Sequence, residues 1–395
     1  MGGPLEGIRV LELGSFIAGP FAGQLLSDYG AEVVKIEQPG VGDPMRVWGV
    51  TEDGESLWWP AIARNKKSVT VDLRFERGQQ IVRRIAEQCD VVLENFRPGT
   101  LRRWGLDYES VSAVAPGVIY VHVSGFGQTG PRAGEAGFGS VAEAVGGIRF
   151  TTGSPDRPPA RAGISLGDAL ASLFGVIGAV SALHERTRSG RGQEVDVAIY
   201  EAVFALMESL LADYAVGGVQ RERSGSSLPG VAPSNVYPTA DGEDLVVAGN
   251  ADSVFQRLAV MMGQPELASD SRYATHLARG ENAAELDELI AAWTGGRKSS
   301  ELLAQLSEAG VPAGLINTAA TILRDEHFAA RDMIVWRQVR DRNLPMNGVV
   351  PKFSRTPGEI GETGPRLGAH TAEVLTELAD VADEELARLH EAGVV

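Results

Sequence analysis

Asp168 is the residue in this sequence whose type and setting most directly suggest chemistry. It follows Gly167 in the segment RAGISLGDALASLFGVIGAVSAL (161–183), where a carboxylate precedes an apolar run that no charge interrupts until His184 and Glu185. A carboxylate at the start of a buried helix meets free N–H groups and the positive end of the helix dipole, which keep it ionised and pointed in one direction. Such a group is either an ordinary N-cap or a nucleophile or acid/base residue, and the second role needs a substrate site elsewhere in the chain. A second set of candidates is cationic. Arg74 closes the segment NKKSVTVDLR (65–74), and Arg102 and Arg103 follow ENFRPGT (94–100) in a chain whose formal net charge is −16. An anionic ligand of so acidic a protein has to be held by a local cluster, and guanidinium groups at strand ends suit phosphate. The competing role for arginines on a surface helix is solubility.

The elements that must position these groups follow from periodicity. Residues 8–13 read as a strand, 14–20 as a glycine-containing turn, 21–29 as a helix closed by Gly30, and 33–36 as the next strand, which makes a βαβ unit. Glycines 14, 19 and 23 do not have the G-x-G-x-x-G spacing, so a dinucleotide site with Glu37 on the ribose is weakly supported. A connection through residues 40–65 carries Trp48, Trp58 and Trp59. Next come a short strand with Lys66 and Lys67 at its entrance, a helix over 78–88 and a buried strand over 91–94, after which Thr100 can cap a short helix. Residues 118–123 form another strand, whose exit is a long glycine-rich loop (125–139). A strand over 194–197, a helix over 199–215 and a polar, Gly- and Pro-rich linker (221–242) follow. The repeated strand-then-helix order predicts a doubly wound parallel sheet, with ligands outside the carboxyl ends of its strands.

The rest has a different texture: a strand over 244–248, helices over 253–262, 283–293 and 300–309, a short strand over 311–315, strands over 335–339 and 349–353, and a helix over 371–378. The simplest partition is a small lobe (223–330) inserted between two parts of a large one (1–222 and 331–395). At 395 residues and 44% hydrophobic content the chain can bury a large core. The longest apolar run is too short and too rich in small residues to span a bilayer, and MGGPLEGIRV has no apolar signal region, so the expected compartment is the cytoplasm. The acidic balance argues against nucleic acid. The single cysteine, Cys89, is read as buried, and the six histidines are dispersed, so no metal is expected.

Taken together, the segments 11–46, 65–74, 91–111, GPRAGEAGFGSVAEAVGG (130–147) and GISLGD (163–168) resemble the class III CoA-transferases of CaiB/BaiF type. That family includes formyl-CoA transferase, carnitine CoA-transferase and acyl-CoA racemases. The resemblance spans essentially the whole chain. It implies a Rossmann-like large domain that takes up both chain ends, a smaller α+β domain, and an interlocked homodimer. It also implies that Asp168 is the catalytic nucleophile, working through aspartyl anhydride and aspartyl-CoA intermediates. By the same resemblance Ile17, Ala18, Val71, Arg74, Asn95, Phe96 and Arg103 line the site of coenzyme A, a thioester co-substrate, with neither metal nor nicotinamide.

Departures from the family pattern narrow the activity. The racemase branch carries a His-Asp pair where this chain has Phe138-Gly139, and without that imidazole a two-base proton exchange loses one base. Formyl-CoA transferases have a glutamine at Ile17, a Tyr-Glu pair at Phe138-Gly139 and glycines at Ala248-Gly249-Asn250. GFGSVAEA with TGSPDRPP (152–159) is closer to members acting on succinate, malate or citramalate, for whose second carboxylate Arg46, Arg149, Arg161 and Arg223 are unranked partners. The expected activity is therefore CoA transfer from an acyl-CoA to a free carboxylic acid of dicarboxylate or hydroxy-acid type. Acyl-CoA racemase or epimerase chemistry is the alternative. A nicotinamide oxidoreductase and a non-catalytic CoA-binding protein are further readings, tested by nicotinamide absorbance and by CoA affinity that survives Asp168→Ala.

Overall fold

The computed structural model describes residues 2–395. Six strands form one sheet: β1 (Arg9–Glu12), β2 (Glu32–Glu37), β3 (Lys66–Thr70), β4 (Val91–Glu94), β5 (Ile119–Ser124) and β6 (Glu194–Ala198). Their order is β3-β2-β1-β4-β5-β6, and every pairing is parallel. This is the strand order of doubly wound nucleotide-binding folds, whose order reverses beside β1.

The sheet is apolar on both faces because alternate residues supply two different cores. Leu11, Val34, Val92 and Tyr120 point to one face, under helices α2 (Glu76–Glu87) and α5 (Thr371–Ala379). Val10, Val33, Val91, Leu93 and Val121 point to the other, under α1 (Ala18–Asp28) and α4 (Leu166–Ser189), with α3 (Gly139–Val145) preceding α4 in the chain. Small residues bring α4 close to the sheet: a Cβ on Gly178 would lie 2.4 Å from Val195 Cγ1. A final helix, α6 (Asp383–Glu391), returns Val394 and Val395 to the first core, and the Val394 carbonyl accepts from Asp72 N at 2.8 Å.

The chain divides into two compact units. The larger comprises the residues up to Ile148, Ala162–Ser209 and His327–Val395; the smaller comprises Arg149–Arg161 and Leu210–Glu326. The smaller has a three-stranded antiparallel sheet in which Asp244–Ala248 lies between Ser234–Pro238 and Ala313–Leu315. Helices Asp252–Met261, Ala283–Gly295 and Ser299–Glu308 pack on it through Phe255, Leu258, Ile290 and Leu302.

Several sequence expectations need correction. Helix α4 starts at Leu166 with Ser165 at the N-cap, so Asp168 is the third helical residue and not the cap. The helix runs for 24 residues, long enough by length and composition to cross a bilayer, a test that core helices of soluble proteins also pass. The helix expected over 199–215 is two, Ile199–Phe204 and Leu210–Ala215. Between them Glu208 has φ 50°, a left-handed conformation that a right-handed helix cannot contain. The expected linker 221–242 contains the strand Ser234–Pro238, whose one deeply buried side chain, Tyr237, was too little apolar signal to reveal it. Residues 349–353 are not a strand, as Pro351 lacks a ladder donor; Arg342–Asn347 pairs with Ile334–Val339 instead. Thr100 precedes a 3-10 turn, Leu101–Trp104, without a side-chain cap.

Candidate active site

The site is built on charged groups in the sheet: Lys35 lies inside β2, Glu12 ends β1 and Lys66 begins β3. Glu12, Lys35 and Lys66 are all buried, and they satisfy one another: Lys35 Nζ donates to Glu12 Oε1 at 2.9 Å, and Lys66 Nζ to Glu12 Oε2 at 2.8 Å. Burial opposes the charge on Glu12, but Lys35 and then Lys66 outweigh it and hold the carboxyl below its usual range. Lys35 also meets Asp43 Oδ2 at 2.8 Å, and burial is again outweighed by Glu12 and Asp43, so its pKa is raised. Each lysine spends a further hydrogen on the backbone after β1. Lys35 donates to the Gly14 carbonyl at 2.7 Å and Lys66 to the Pro20 carbonyl at 2.6 Å; because α1 begins at Ala18, the turn expected over 14–20 ends at Ile17, and the second bond holds the first turn of α1.

The turn itself is unusual. Phe16 has φ 63°, rare for an aromatic residue, and its N–H donates to Asp43 Oδ1 at 3.2 Å. Its ring packs edge-on to Trp48 at 5.6 Å. Asn95, at the exit of β4, clamps the turn by accepting from Ser15 N at 2.9 Å and donating to the Ser15 carbonyl at 2.8 Å. Gly14 is required here, since a Cβ on it would lie 2.9 Å from Asn95 Oδ1 and 3.1 Å from Gly19 Cα.

A cavity of about 300 Å³ opens at the carboxyl ends of β1, β2, β3 and β4, lined among others by Gly14, Asp43, Val71, Arg74, Phe96 and Trp104. Phe96 and Trp104 meet edge to face at 5.7 Å. The Phe96 N–H donates to Glu94 Oε2 at 2.6 Å, and the other oxygen of Glu94 lies 2.5 Å from His122 Nδ1. Burial pushes the Glu94 carboxyl up, while Glu94 and Glu194 pull the His122 imidazole up against its own burial. Arg74, 72% exposed at the cavity edge, forks onto Asp72 with Nε–Oδ1 2.9 Å and Nη2–Oδ2 2.5 Å. Hydrogen bonds from Arg74 hold the Asp72 carboxyl below its usual range.

Of the residues expected to line a ligand site, Val71, Arg74 and Phe96 therefore share one cavity. Asn95 shapes the turn and does not line that cavity, and Arg103 is exposed on the neighbouring 3-10 turn, outside the lining. Arg102 pairs with Asp107 at 3.0 Å and Glu109 at 2.6 Å. Ile17 is the buried N-cap residue of α1, and Ala18 opens that helix. Neither lines that cavity, and of the two it is Ala18 that contacts the helix of Asp168. Ser172 Oγ, one turn along α4, lies 2.7 Å from the Ala18 carbonyl and 2.8 Å from the Asp168 carbonyl, so the first turn of α1 is tied to the first turn of α4. The Asp168 carboxylate lies against Gly139 at the start of α3, and Gly167 N donates to Glu143 Oε1 at 3.2 Å.

Arg46, named as a partner for a second carboxylate, is committed elsewhere. It forks onto Glu37 with both distances at 2.7 Å and lies over the Trp59 ring at 3.9 Å. Arg223 donates to the carbonyls of Phe150 and Ser154. Sequence reasoning passed over Asp43, Asp72 and the Glu12–Lys35–Lys66 cluster. A lysine at the centre of EVVKIE was the available signal, because a charge inside an apolar strand demands a partner.

Fold and site together define an α/β protein with a cavity at the switch point of a parallel sheet and an aspartate in the first turn of an adjoining helix. The model of CoA-transferase family III matches residues 5–371. The chain is 56% identical over 396 residues to succinyl-CoA–D-citramalate CoA-transferase of Chloroflexus aurantiacus, covering 99% of this chain and 98% of that protein. It is 37% identical to succinate–glutarate CoA-transferase of Agrobacterium fabrum, covering 96% of both. A crystal structure of a CaiB/BaiF family protein from Brucella suis superposes with a TM-score of 0.84 at 38% identity, covering 96% of this chain and 100% of that one. The chain belongs to CoA-transferase family III and is an enzyme of the class III CoA-transferase type.

Proposed function

We propose that the protein transfers CoA from succinyl-CoA to a branched or hydroxylated dicarboxylate, D-citramalate first among them, with Asp168 as nucleophile. The observation that carries the reading is the anchored Asp168. It stands in the first turn of α4, tied through Ser172 to the turn of Ile17 and Ala18, in a chain 56% identical to a transferase named for that substrate pair.

The exchange runs in four balanced steps. A carboxylate oxygen of Asp168 attacks the thioester carbonyl, the C–O bond forms as the C–S bond breaks, and CoA thiolate leaves an aspartyl anhydride. The thiolate attacks the aspartyl carbonyl, giving an aspartyl-CoA thioester and the free donor acid. The acceptor carboxylate then displaces the thiolate, and the thiolate takes the acceptor's acyl group and restores Asp168. One difficult exchange becomes several easier ones with no net proton transfer. The positive end of the α4 dipole favours an ionised carboxylate at Asp168, the third residue of the helix. The cavity suits part of the CoA nucleotide: the Arg74 guanidinium for phosphate, and Phe96 with Val71 for an apolar surface.

Two copies complete the enzyme in this reading. Leu173, Ile177 and Val180 leave one side of α4 uncovered, at 45%, 59% and 42% exposure. The cysteine-poor, acidic composition accords with the cytoplasm. The test is turnover of succinyl-CoA with D-citramalate, L-malate, glutarate and oxalate, following the new acyl-CoA by chromatography. D-citramalate is expected to give the highest kcat/KM. Deuterium uptake at the acyl α-carbon with no acceptor acid and no CoA exchange would replace this reading by the racemase one, which the exposed, non-basic Phe138 does not favour.

A further inference from the structure

We infer that Gly139 is a positioning residue for the Asp168 carboxylate: its missing side chain fixes where the oxygens of the nucleophile lie. The inference rests on the reading of Asp168 given above. A Cβ at position 139 would lie 2.3 Å from Asp168 Oδ2, 2.7 Å from Cγ and 3.0 Å from Oδ1. All three nearest atoms belong to that carboxylate, so in this chain a Cβ at 139 and the carboxylate in its present position exclude each other.

Three further observations decide how a clash there would resolve. Gly139 is the first residue of α3 and its φ is outside the left-handed region, so alanine meets no backbone strain and is the better helix former. Helix α4 has little room to retreat as a body. A Cβ on the neighbouring Gly167 would already lie 3.2 Å from the Gly139 carbonyl and from Glu143 Cγ, and Ser172 ties the first turn to Ala18. The carboxylate, by contrast, is the end of a rotatable side chain. Alanine at 139 therefore moves the carboxylate and spares the fold. Restoring ordinary van der Waals contact displaces Oδ2 by about 1 Å, and a misplacement of that size at a reacting atom costs about 100-fold in rate. Gly192 is the structural contrast, since a Cβ there would lie 1.7 Å from the backbone oxygen of Val118.

The experiment compares wild type, Gly139→Ala, Gly192→Ala and Asp168→Asn for melting temperature, KM for succinyl-CoA and kcat with the best acceptor. Gly139→Ala is expected to melt no lower than wild type and to keep KM within about 3-fold while kcat falls about 100-fold. Gly192→Ala is expected to melt lower. A Gly139→Ala enzyme with wild-type kcat beside an inactive Asp168→Asn overturns the inference alone. One whose kcat loss comes with a lowered melting temperature also overturns it, because the fold and not the carboxylate has then yielded. An Asp168→Asn enzyme that turns over at the wild-type rate overturns the nucleophile reading and this inference with it.

Discussion

Replacing Glu12 by glutamine removes the negative charge shared by two buried lysines without changing the shape of the side chain. Lys35 keeps its contact with Asp43 at 2.8 Å, whereas Lys66 is left with the Pro20 carbonyl and an amide oxygen. Lys66 already sits below the usual lysine range, chiefly through burial. Breaking a fully buried ion pair from one side costs about 3–5 kcal/mol, a large share of the roughly 5–15 kcal/mol that holds a domain folded. The loss should appear as a lower urea midpoint in the transition of the larger unit, followed by circular dichroism. It should carry a raised KM for succinyl-CoA, because Lys35 holds the start of the turn after β1 and Lys66 holds the first turn of α1. The pH dependence has a definite sign. The folded-state pKa of Glu12 is depressed, so its contribution is complete above its ordinary value of 4.5 and is lost as the pH falls below it. The gap between wild type and Glu12→Gln should therefore narrow on acidification. A stability loss under about 1 kcal/mol at pH 7, or a gap that widens in acid, would refute the reasoning.

Three other outcomes are expected. Arg74→Met should raise KM for succinyl-CoA about 10-fold or more with kcat little changed, the value of one charged hydrogen bond to phosphate; an equal fall in kcat at unchanged KM would count against a binding role. Asn95→Ala should release the Ser15 clamp and weaken CoA binding, read by calorimetry, while wild-type affinity would show that the turn holds without it. In the smaller unit, hydrogen bonds from Thr239 and then Ser299 hold Asp241 at about 2, below its ordinary 3.8. Its stabilising effect is complete above pH 3.8 and is lost on acidification toward 2, so Asp241→Asn should flatten the acid limb of that unit's thermal stability; an unchanged limb would contradict the assignment.

The parallel sheet was legible because its strands are short apolar runs at regular intervals, and the alternation of Val10 and Leu11 or Val33 and Val34 between two cores is what such runs imply. The helix that carries Asp168 was legible too, but not its register, since Leu166 and Gly167 give no sign that the helix has begun. The charge cluster was hidden for a different reason. Glu12 and Lys66 are 54 residues apart and each looks like a strand-end surface charge until the sheet is assembled. Arg46 misled in the same way, as its commitment to Glu37 and Trp59 depends on how the 38–65 connection folds back. Ser234–Pro238 escaped because a polar strand with proline and one buried tyrosine has no periodic signal.

The central claim, covalent catalysis by Asp168, is tested most directly by intact-protein mass spectrometry after incubation with succinyl-CoA. The expected result is an acyl- or CoA-sized adduct that maps to Asp168, disappears when the acceptor acid is added and never forms on Asp168→Ala. Turnover at the wild-type rate by Asp168→Ala, or an adduct mapped to another residue, would contradict it.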